Sequence, residues 1–174
     1  MTNAAINSKA TEIILQFGKM EAPIRVDDIA RAMGLKVVAF PLEGDVSGLL
    51  LIEADGATIG YNQNEARVRR RYTVAHELGH YCLGHTQEGT PSVFVDKGYR
   101  VYFRRPGQDE PSAARREREA NYFAACLLMP EQLLVPEVDK LEFDPGNEDA
   151  IKHLAKMFDV SATAMSYRIQ NLYA

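Results

Sequence analysis

The chain has 174 residues, of which 46% are hydrophobic and 25% are charged. Its length fits one ordinary domain, and its composition excludes the disordered, collagen-like and low-complexity classes of protein. With 20 Lys and Arg against 24 Asp and Glu, the net charge is -4. This balance argues against a protein whose main task is to hold a phosphate backbone.

The average charge hides a basic segment. Between residues 67 and 118, 11 Lys and Arg stand against 6 Asp and Glu, so this segment is either an ordinary solvated face or a surface that attracts an acidic partner. The two cysteines, Cys82 and Cys126, are too few for a disulfide framework and are interpreted as small buried residues. Because the sequence shows no secretory signal and no long apolar run, we expect a cytoplasmic protein without membrane partners.

The first part of the chain predicts two short helices and then a small sheet. Apolar residues recur at helical intervals in residues 8–19 and 27–34. Residues 35–40, 47–53 and 57–61 are short apolar or β-branched runs separated by turn residues. We expect these three runs to form a partly antiparallel sheet.

The second part predicts helices around one long connection. Asn64 is the expected N-cap of a long helix that ends near Gly84. Residues 86–111 form a long connection with one strand at most, and connections of this length are usually functional or disordered. A further helix is expected over residues 112–130, and two more after Gly146.

The segment His76-Glu77-Leu78-Gly79-His80 fits the pattern H-E-x-x-H within the predicted helix. Two histidines four residues apart lie about 40° apart around the helix axis and about 6 Å apart along it, so their imidazoles can converge on one metal ion. Glu77 lies one residue round from His76, where its carboxylate can act on a metal-bound water as a general base. The pattern predicts a zinc site; the alternative is two ordinary surface or core histidines.

His85 is a candidate third ligand, because some zinc proteases extend the pattern to HExxHxxGxxH. In this chain His85 follows His80 by five residues instead of six, and Gly84 comes one residue late. We therefore expect His85 at the end of the helix, where a cation meets the negative pole of the helix dipole.

A catalytic zinc ion takes three protein ligands and a water, so one more His, Glu or Asp is required. The helix after the long connection offers Glu117 and Glu119, which point about 200° apart, and helical periodicity alone does not choose between them. Asn121 lies on the same face as Glu117, where it can accept the proton of a ligand imidazole and fix its tautomer. That face continues into Ala124 and Ala125, whose small side chains allow close approach of two helices.

Two segments, RYTVAHELGHYCLGH (residues 71–85) and EREANYFAACLLMP (residues 117–130), resemble the ImmA/IrrE family of bacterial and phage zinc metallopeptidases. The resemblance covers most of the chain and implies an α+β fold with a compact gluzincin-like core. This core combines a small three-stranded sheet, the HExxH helix and a Glu-bearing helix, followed by a helix-turn-helix-like pair. We assign residues 1–146 to the metallopeptidase domain and residues 147–174 to the helical pair packed on it.

Carried over position by position, the resemblance implies one zinc ion per chain with three ligands: His76, His80 and Glu117. It also implies that Glu77 is the catalytic glutamate. Glu117 is favoured because the family's ligand lies four residues before the Asn or Asp of the second motif, here Asn121. Glu119 then occupies a variable position.

The predicted chemistry is amide hydrolysis of a specific protein, which the resemblance implies to be a helix-turn-helix repressor. Zinc lowers the pKa of its bound water towards about 7, Glu77 takes the proton, and the hydroxide attacks the peptide carbonyl. The sequence does not identify the group that stabilises the oxyanion. Tyr72, Tyr99 and Tyr102 are interpreted as packing residues.

Two other functions are considered. Residues 151–172 have the pattern of a helix-turn-helix, but the tail carries only Lys152, Lys156 and Arg168 against two Asp, so direct nucleic-acid binding is not expected. The other function is a partner-binding regulator of a phage immunity or toxin–antitoxin pair, with the zinc site present and its activity latent. Such a regulator would cut no repressor on its own.

Overall fold

The computed structural model of the protein describes residues 1–43, 46–85, 92–96, 112–140 and 147–172. Over these residues the chain has the α+β fold that the sequence predicts. The helices are α1 Asn3–Phe17, α2 Val26–Ala32, α3 Arg67–Cys82, α4 Ser112–Leu128, α5 Glu131–Lys140, α6 Glu148–Phe158 and α7 Ala162–Leu172. The strands are β1 Lys36–Phe40, β2 Gly48–Glu53, β3 Gly56–Asn62 and β4 Ser92–Asp96.

The strands form one mixed sheet in the order β1-β3-β2-β4. β1 runs parallel to β3, whereas β2 is antiparallel to both β3 and β4. A tight hairpin joins β2 to β3, and Glu53 at the end of β2 pairs with Gly56 at the start of β3. Gly56 has a φ of +147°, a conformation that glycine adopts without strain. The three predicted strands are therefore present, and β4 adds a fourth within the long connection between α3 and α4.

The helix that carries the HExxH pattern begins at Arg67, so the predicted N-cap at Asn64 is wrong. Ala66 is the N-cap residue and makes no side-chain capping hydrogen bond. The backbone N–H of Asn64 instead donates to the side-chain oxygen of Asn62, at a distance of 3.1 Å. This local turn engages Asn64 before the helix starts.

Helix α3 lies between the sheet and α4. On the sheet side, a Cβ atom on Gly48 of β2 would clash with the side chain of Thr73. On the α4 side, a Cβ atom on Gly79 would lie 3.1 Å from the carbonyl oxygen of Ala120. Because both neighbours approach so closely, every residue from Thr73 to His80 is buried.

Every described helix contributes to one cluster of buried apolar side chains. One member from each helix, in chain order, is Ile6, Ile29, Val74, Phe123, Leu134, Leu154 and Met165. The C-terminal helices α6 and α7 therefore share the core of the rest of the fold. Within the described ranges, no helix combines the length and the apolar composition that a membrane span requires.

The turn between α6 and α7 is attached to α3 by a partly buried arginine. Asp159 adopts a left-handed conformation, with a φ of +54°, and ends α6. The Arg71 side chain donates to the Asp159 carbonyl at 3.0 Å and to the Ile24 carbonyl at 2.9 Å, and its Nε lies 3.1 Å from the Asp159 carboxylate. Arg71 therefore joins the C-terminal pair, the start of α2 and the HExxH helix.

Candidate metal centre

Two histidine side chains meet on the buried face of α3. His76 Nε2 and His80 Nε2 lie 3.1 Å apart, and each residue is only 3% exposed. Their rings are close to perpendicular, with an interplanar angle of 76°. The four-residue spacing thus brings the two imidazoles to one point, as the pattern predicts.

Helix α4 supplies a carboxylate to the same point. Glu117 Oε2 lies 3.3 Å from His76 Nε2, and Glu117 Oε1 lies 3.4 Å from His80 Nε2. Burial raises the pKa of the Glu117 carboxyl, but hydrogen bonds from His76 and His80 outweigh this effect and hold the pKa well below its ordinary value. The structure therefore places Glu117, and not Glu119, beside the two histidines.

The ligand atoms of the two histidines and of the Glu117 carboxylate lie within 4.8 Å of one another, and each histidine Nε2 is closest to a different oxygen of Glu117. Tetrahedral zinc has bonds of about 2.0–2.1 Å to nitrogen and oxygen, which separates neighbouring ligand atoms by about 3.3 Å. The closest nitrogen–nitrogen and nitrogen–oxygen distances in the cluster of His76, His80 and Glu117 are 3.1, 3.3 and 3.4 Å. Among the described residues, this group of side chains could hold a metal ion. Glu117 leaves 37% of its side chain exposed, so the cluster has an open side.

Glu77 occupies the space between α3 and β2. It is 1% exposed, and the position of a Cβ atom on Gly48 would be 3.4 Å from its Oε1. The missing side chain of Gly48 therefore leaves space for the Glu77 carboxylate. Glu77 directly follows His76 in the chain, which is the position that the HExxH pattern gives to a general base.

Tyr72 contacts both Asn121 and His76. The Tyr72 hydroxyl donates to Asn121 Oδ1 at 2.6 Å, and the Tyr72 ring stacks on the His76 ring with an interplanar angle of 24°. The sequence predicts that Asn121 accepts a hydrogen bond from a ligand imidazole. This stays a prediction, since the donor to Asn121 Oδ1 in the structure is the Tyr72 hydroxyl. The interpretation of Tyr72 as packing alone missed this bond, although its spacing of four residues from His76 was a signal. Tyr99 and Tyr102 lie outside the described residues.

His85 and Glu119, which the sequence did not connect, form a buried pair. His85 Nε2 lies 3.0 Å from Glu119 Oε2. Burial lowers the pKa of His85, although the hydrogen bond to Glu119 opposes this. Burial raises the pKa of Glu119, but contacts with the α-amino group of Met1, His85 and Arg115 outweigh burial and lower the pKa to about 2.

Cys126 is buried, whereas Cys82 is partly exposed. Burial raises the pKa of Cys82 to about 12 and that of Cys126 to about 11. Both thiols therefore stay protonated near neutral pH. The interpretation as a small buried residue is confirmed for Cys126, while Cys82 is only partly buried.

A family model described as the IrrE N-terminal-like domain, Peptidase_M78, matches residues 30–170. The chain belongs to this family. The Peptidase_M78 match includes α3 and α4, which carry the cluster, and it confirms the resemblance to the ImmA/IrrE family. Among curated proteins, none has a sequence that matches this chain.

A solved structure described as a Mycobacterium tuberculosis transcriptional regulator has a similar fold, with a TM-score of 0.58. The two sequences are 16% identical, and the similarity covers 93% of this chain but 45% of that one. This Peptidase_M78 chain therefore spans less than half of that protein, and the likeness concerns the fold. Family membership and the three-residue cluster together define a metallopeptidase-like domain with a possible metal site.

Proposed function

We propose that this Peptidase_M78 protein is a zinc-dependent endopeptidase with one zinc ion per chain. The observation that carries the proposal is the convergence of His76, His80 and Glu117. The two histidine Nε2 atoms lie 3.1 Å apart, and each lies 3.3 or 3.4 Å from one oxygen of the Glu117 carboxylate, close to the spacing of neighbouring ligands in a tetrahedral zinc site. Zinc is the metal that this donor set favours, although two histidines and a carboxylate also accept manganese or iron.

The chain's own residues divide the chemistry between them. His76, His80 and Glu117 would hold the ion, and the open side at Glu117 would admit the substrate. Zinc, when bound, would supply a Lewis acid that polarises the scissile carbonyl and makes water more acidic. Glu77 takes the proton from the attacking water and passes it to the leaving amide nitrogen. Asn121 and Tyr72 support the His76 side of the site.

The proposed substrate is a specific partner protein, a helix-turn-helix transcriptional repressor. Two observations support it. The chain belongs to the family, and its resemblance to that family implies a helix-turn-helix repressor as substrate. In addition, a protein of similar fold is described as a transcriptional regulator. Because a repressor acts on DNA, the proposal places the reaction in the cytoplasm.

The proposal is tested with the helix-turn-helix repressor encoded nearest to the gene for this chain. Zinc-loaded protein is incubated with that repressor, and the products are identified by mass spectrometry. We expect cleavage at one site by the wild-type protein and none by Glu77→Gln with its zinc content unchanged. A Glu77→Gln protein that cleaves normally would contradict the assigned role.

A partner-binding regulator with latent activity is the alternative function. It predicts a wild-type protein that binds zinc and the repressor but leaves every repressor peptide bond intact. The same incubation distinguishes the two functions, because intact repressor in a complex with zinc-loaded protein would favour the regulator.

A further inference from the structure

The end of α3 turns His85 back towards His80. Gly84 has a φ of +67°, and its N–H donates to the Tyr81 carbonyl at 3.3 Å, while the His85 N–H donates to the His80 carbonyl at 3.0 Å. These two bonds form a Schellman motif, which needs a residue in the left-handed region, a role that glycine fills without strain. The turn places the His85 ring beside the His80 ring, with centroids 5.1 Å apart.

The side chains of three residues then form a continuous hydrogen-bonded row. His80 Nδ1 lies 3.2 Å from His85 Nδ1, and His85 Nε2 lies 3.0 Å from Glu119 Oε2. The His85 and Glu119 side chains are only 5% and 6% exposed. The row runs from α4 through the turn after α3 and ends at the ring of a proposed zinc ligand.

The chemistry of the donors and acceptors fixes the direction of each bond. A carboxylate only accepts hydrogen bonds, so His85 Nε2–H donates to Glu119. A neutral imidazole has one donor and one acceptor nitrogen, so His85 Nδ1 accepts. His80 Nδ1–H must then donate to His85, which leaves the lone pair of His80 Nε2 directed at the cluster with His76 and Glu117.

We propose that Glu119 and His85 are positioning residues that fix the tautomer and ring orientation of His80 for metal binding. The inference rests on the proposed function and adds two residues to its site. Histidine ligands of metals commonly donate their second N–H to a carboxylate or carbonyl, and here His85 relays that contact to the carboxylate. The other oxygen of Glu119, Oε1, lies outside the row and contacts the α-amino group of Met1 and the exposed Arg115, whose Nε is 3.2 Å away.

Four variants distinguish a specific effect of the hydrogen-bonded row on zinc binding from general damage to the fold. His85→Leu removes the acceptor for His80, whereas His85→Asn can present Oδ1 where Nδ1 lies and restores part of the row. Glu119→Gln removes the acceptor-only group that sets the tautomers. Arg115→Ala is the matched control, because Arg115 is 61% exposed and contacts Glu119 without belonging to the row.

Zinc affinity is measured by competition with a chelator, and the fold of each metal-free variant by circular dichroism. We expect His85→Leu and Glu119→Gln to bind zinc about 10- to 100-fold more weakly, the range for loss of an outer partner of a ligand. His85→Asn should lie between His85→Leu and wild type, and Arg115→Ala should stay within about threefold of wild type. Unchanged affinity in folded His85→Leu, or in folded Glu119→Gln if His85→Leu does not fold, would overturn the inference.

The direct readout is the hydrogen bond between the two rings. In zinc-loaded, ¹⁵N-labelled wild-type protein, a ¹⁵N–¹⁵N coupling across the hydrogen bond should join His80 Nδ1 to His85 Nδ1, with the proton on His80. A zinc-loaded protein with the proton on His80 Nε2, or with no coupling between the rings, would overturn the inference and leave the proposed function intact. A wild-type protein that binds no zinc would overturn both.

Discussion

Gly79 of α3 lies directly against Ala120 of α4, and a Cβ atom on Gly79 would be 3.1 Å from both the Ala120 carbonyl oxygen and Phe123 Cδ1. His80 follows Gly79 on one helix, and Glu117 lies one turn before Ala120 on the other. The close contact therefore sets the distance across which the two helices bring their ligand atoms together.

Gly79→Ala should weaken both the fold and the metal site. The added methyl group must push α3 away from α4, since one of its neighbours is backbone, and overpacking of this kind costs about 1–3 kcal/mol. The His80–Glu117 distance of 3.4 Å should lengthen. Thermal unfolding and zinc competition check this prediction. Wild-type values for both would show that the helices can accommodate a side chain at this position.

Substitution of Glu117 should weaken zinc binding more than substitution of Glu119. Glu117→Gln removes a proposed ligand, so zinc affinity should fall by more than the roughly 10- to 100-fold that the loss of an outer partner costs. The loss of zinc affinity in Glu119→Gln should lie within that range. Chelator competition with both variants measures the difference, and a larger loss in Glu119→Gln would reverse the assignment.

The hydrogen bond between Tyr72 and Asn121 should stabilise the fold more than it affects zinc binding. Tyr72→Phe keeps the ring against His76 but leaves the Asn121 oxygen without this donor, at an expected cost of about 1 kcal/mol. A double-mutant cycle with Asn121→Ala, measured by urea unfolding, isolates the pair. A coupling near zero would mean that the 2.6 Å contact contributes nothing to stability.

Arg71 and Arg67 provide a matched comparison of buried and exposed partners of Asp159. Arg71 is 12% exposed in its side chain and donates to three backbone carbonyls, so Arg71→Met should cost about 1.5–3 kcal/mol. Arg67 is 72% exposed and pairs with the Asp159 carboxylate through solvent-accessible contacts, so Arg67→Met should be close to neutral. Equal losses in the two variants would show that burial does not set the strength of this attachment.

The sequence predicted what depends on local spacing. The four-residue interval of His76 and His80 determines their convergence once a helix forms, and the helix was predictable from its pattern and from Gly84 at its end. Glu117 could not be chosen over Glu119 from periodicity, because the choice depends on how α4 is rotated against α3. Before the structure, only the resemblance to the ImmA/IrrE family favours Glu117 as the ligand.

The direction of a side chain that follows a turn could not be predicted from the sequence. The sequence predicts His85 at the end of the helix, where the structure has it, but the direction of its ring follows from the Schellman motif and from a carboxylate 34 residues away. The sequence also predicts Asn64 wrongly as the N-cap of α3, because asparagine is a common cap residue. Asn62, two residues earlier, competes for Asn64 through its own side chain.

The metal content of the purified protein, determined by elemental analysis beside the variant with both His76→Ala and His80→Ala, tests the central claim most directly. We predict about one zinc ion per wild-type chain and none in the variant, since the three-ligand site loses two of its ligands. A wild-type protein that contains no metal after exposure to micromolar zinc at neutral pH would contradict the proposed enzyme. Equal metal content in the two proteins would contradict the site.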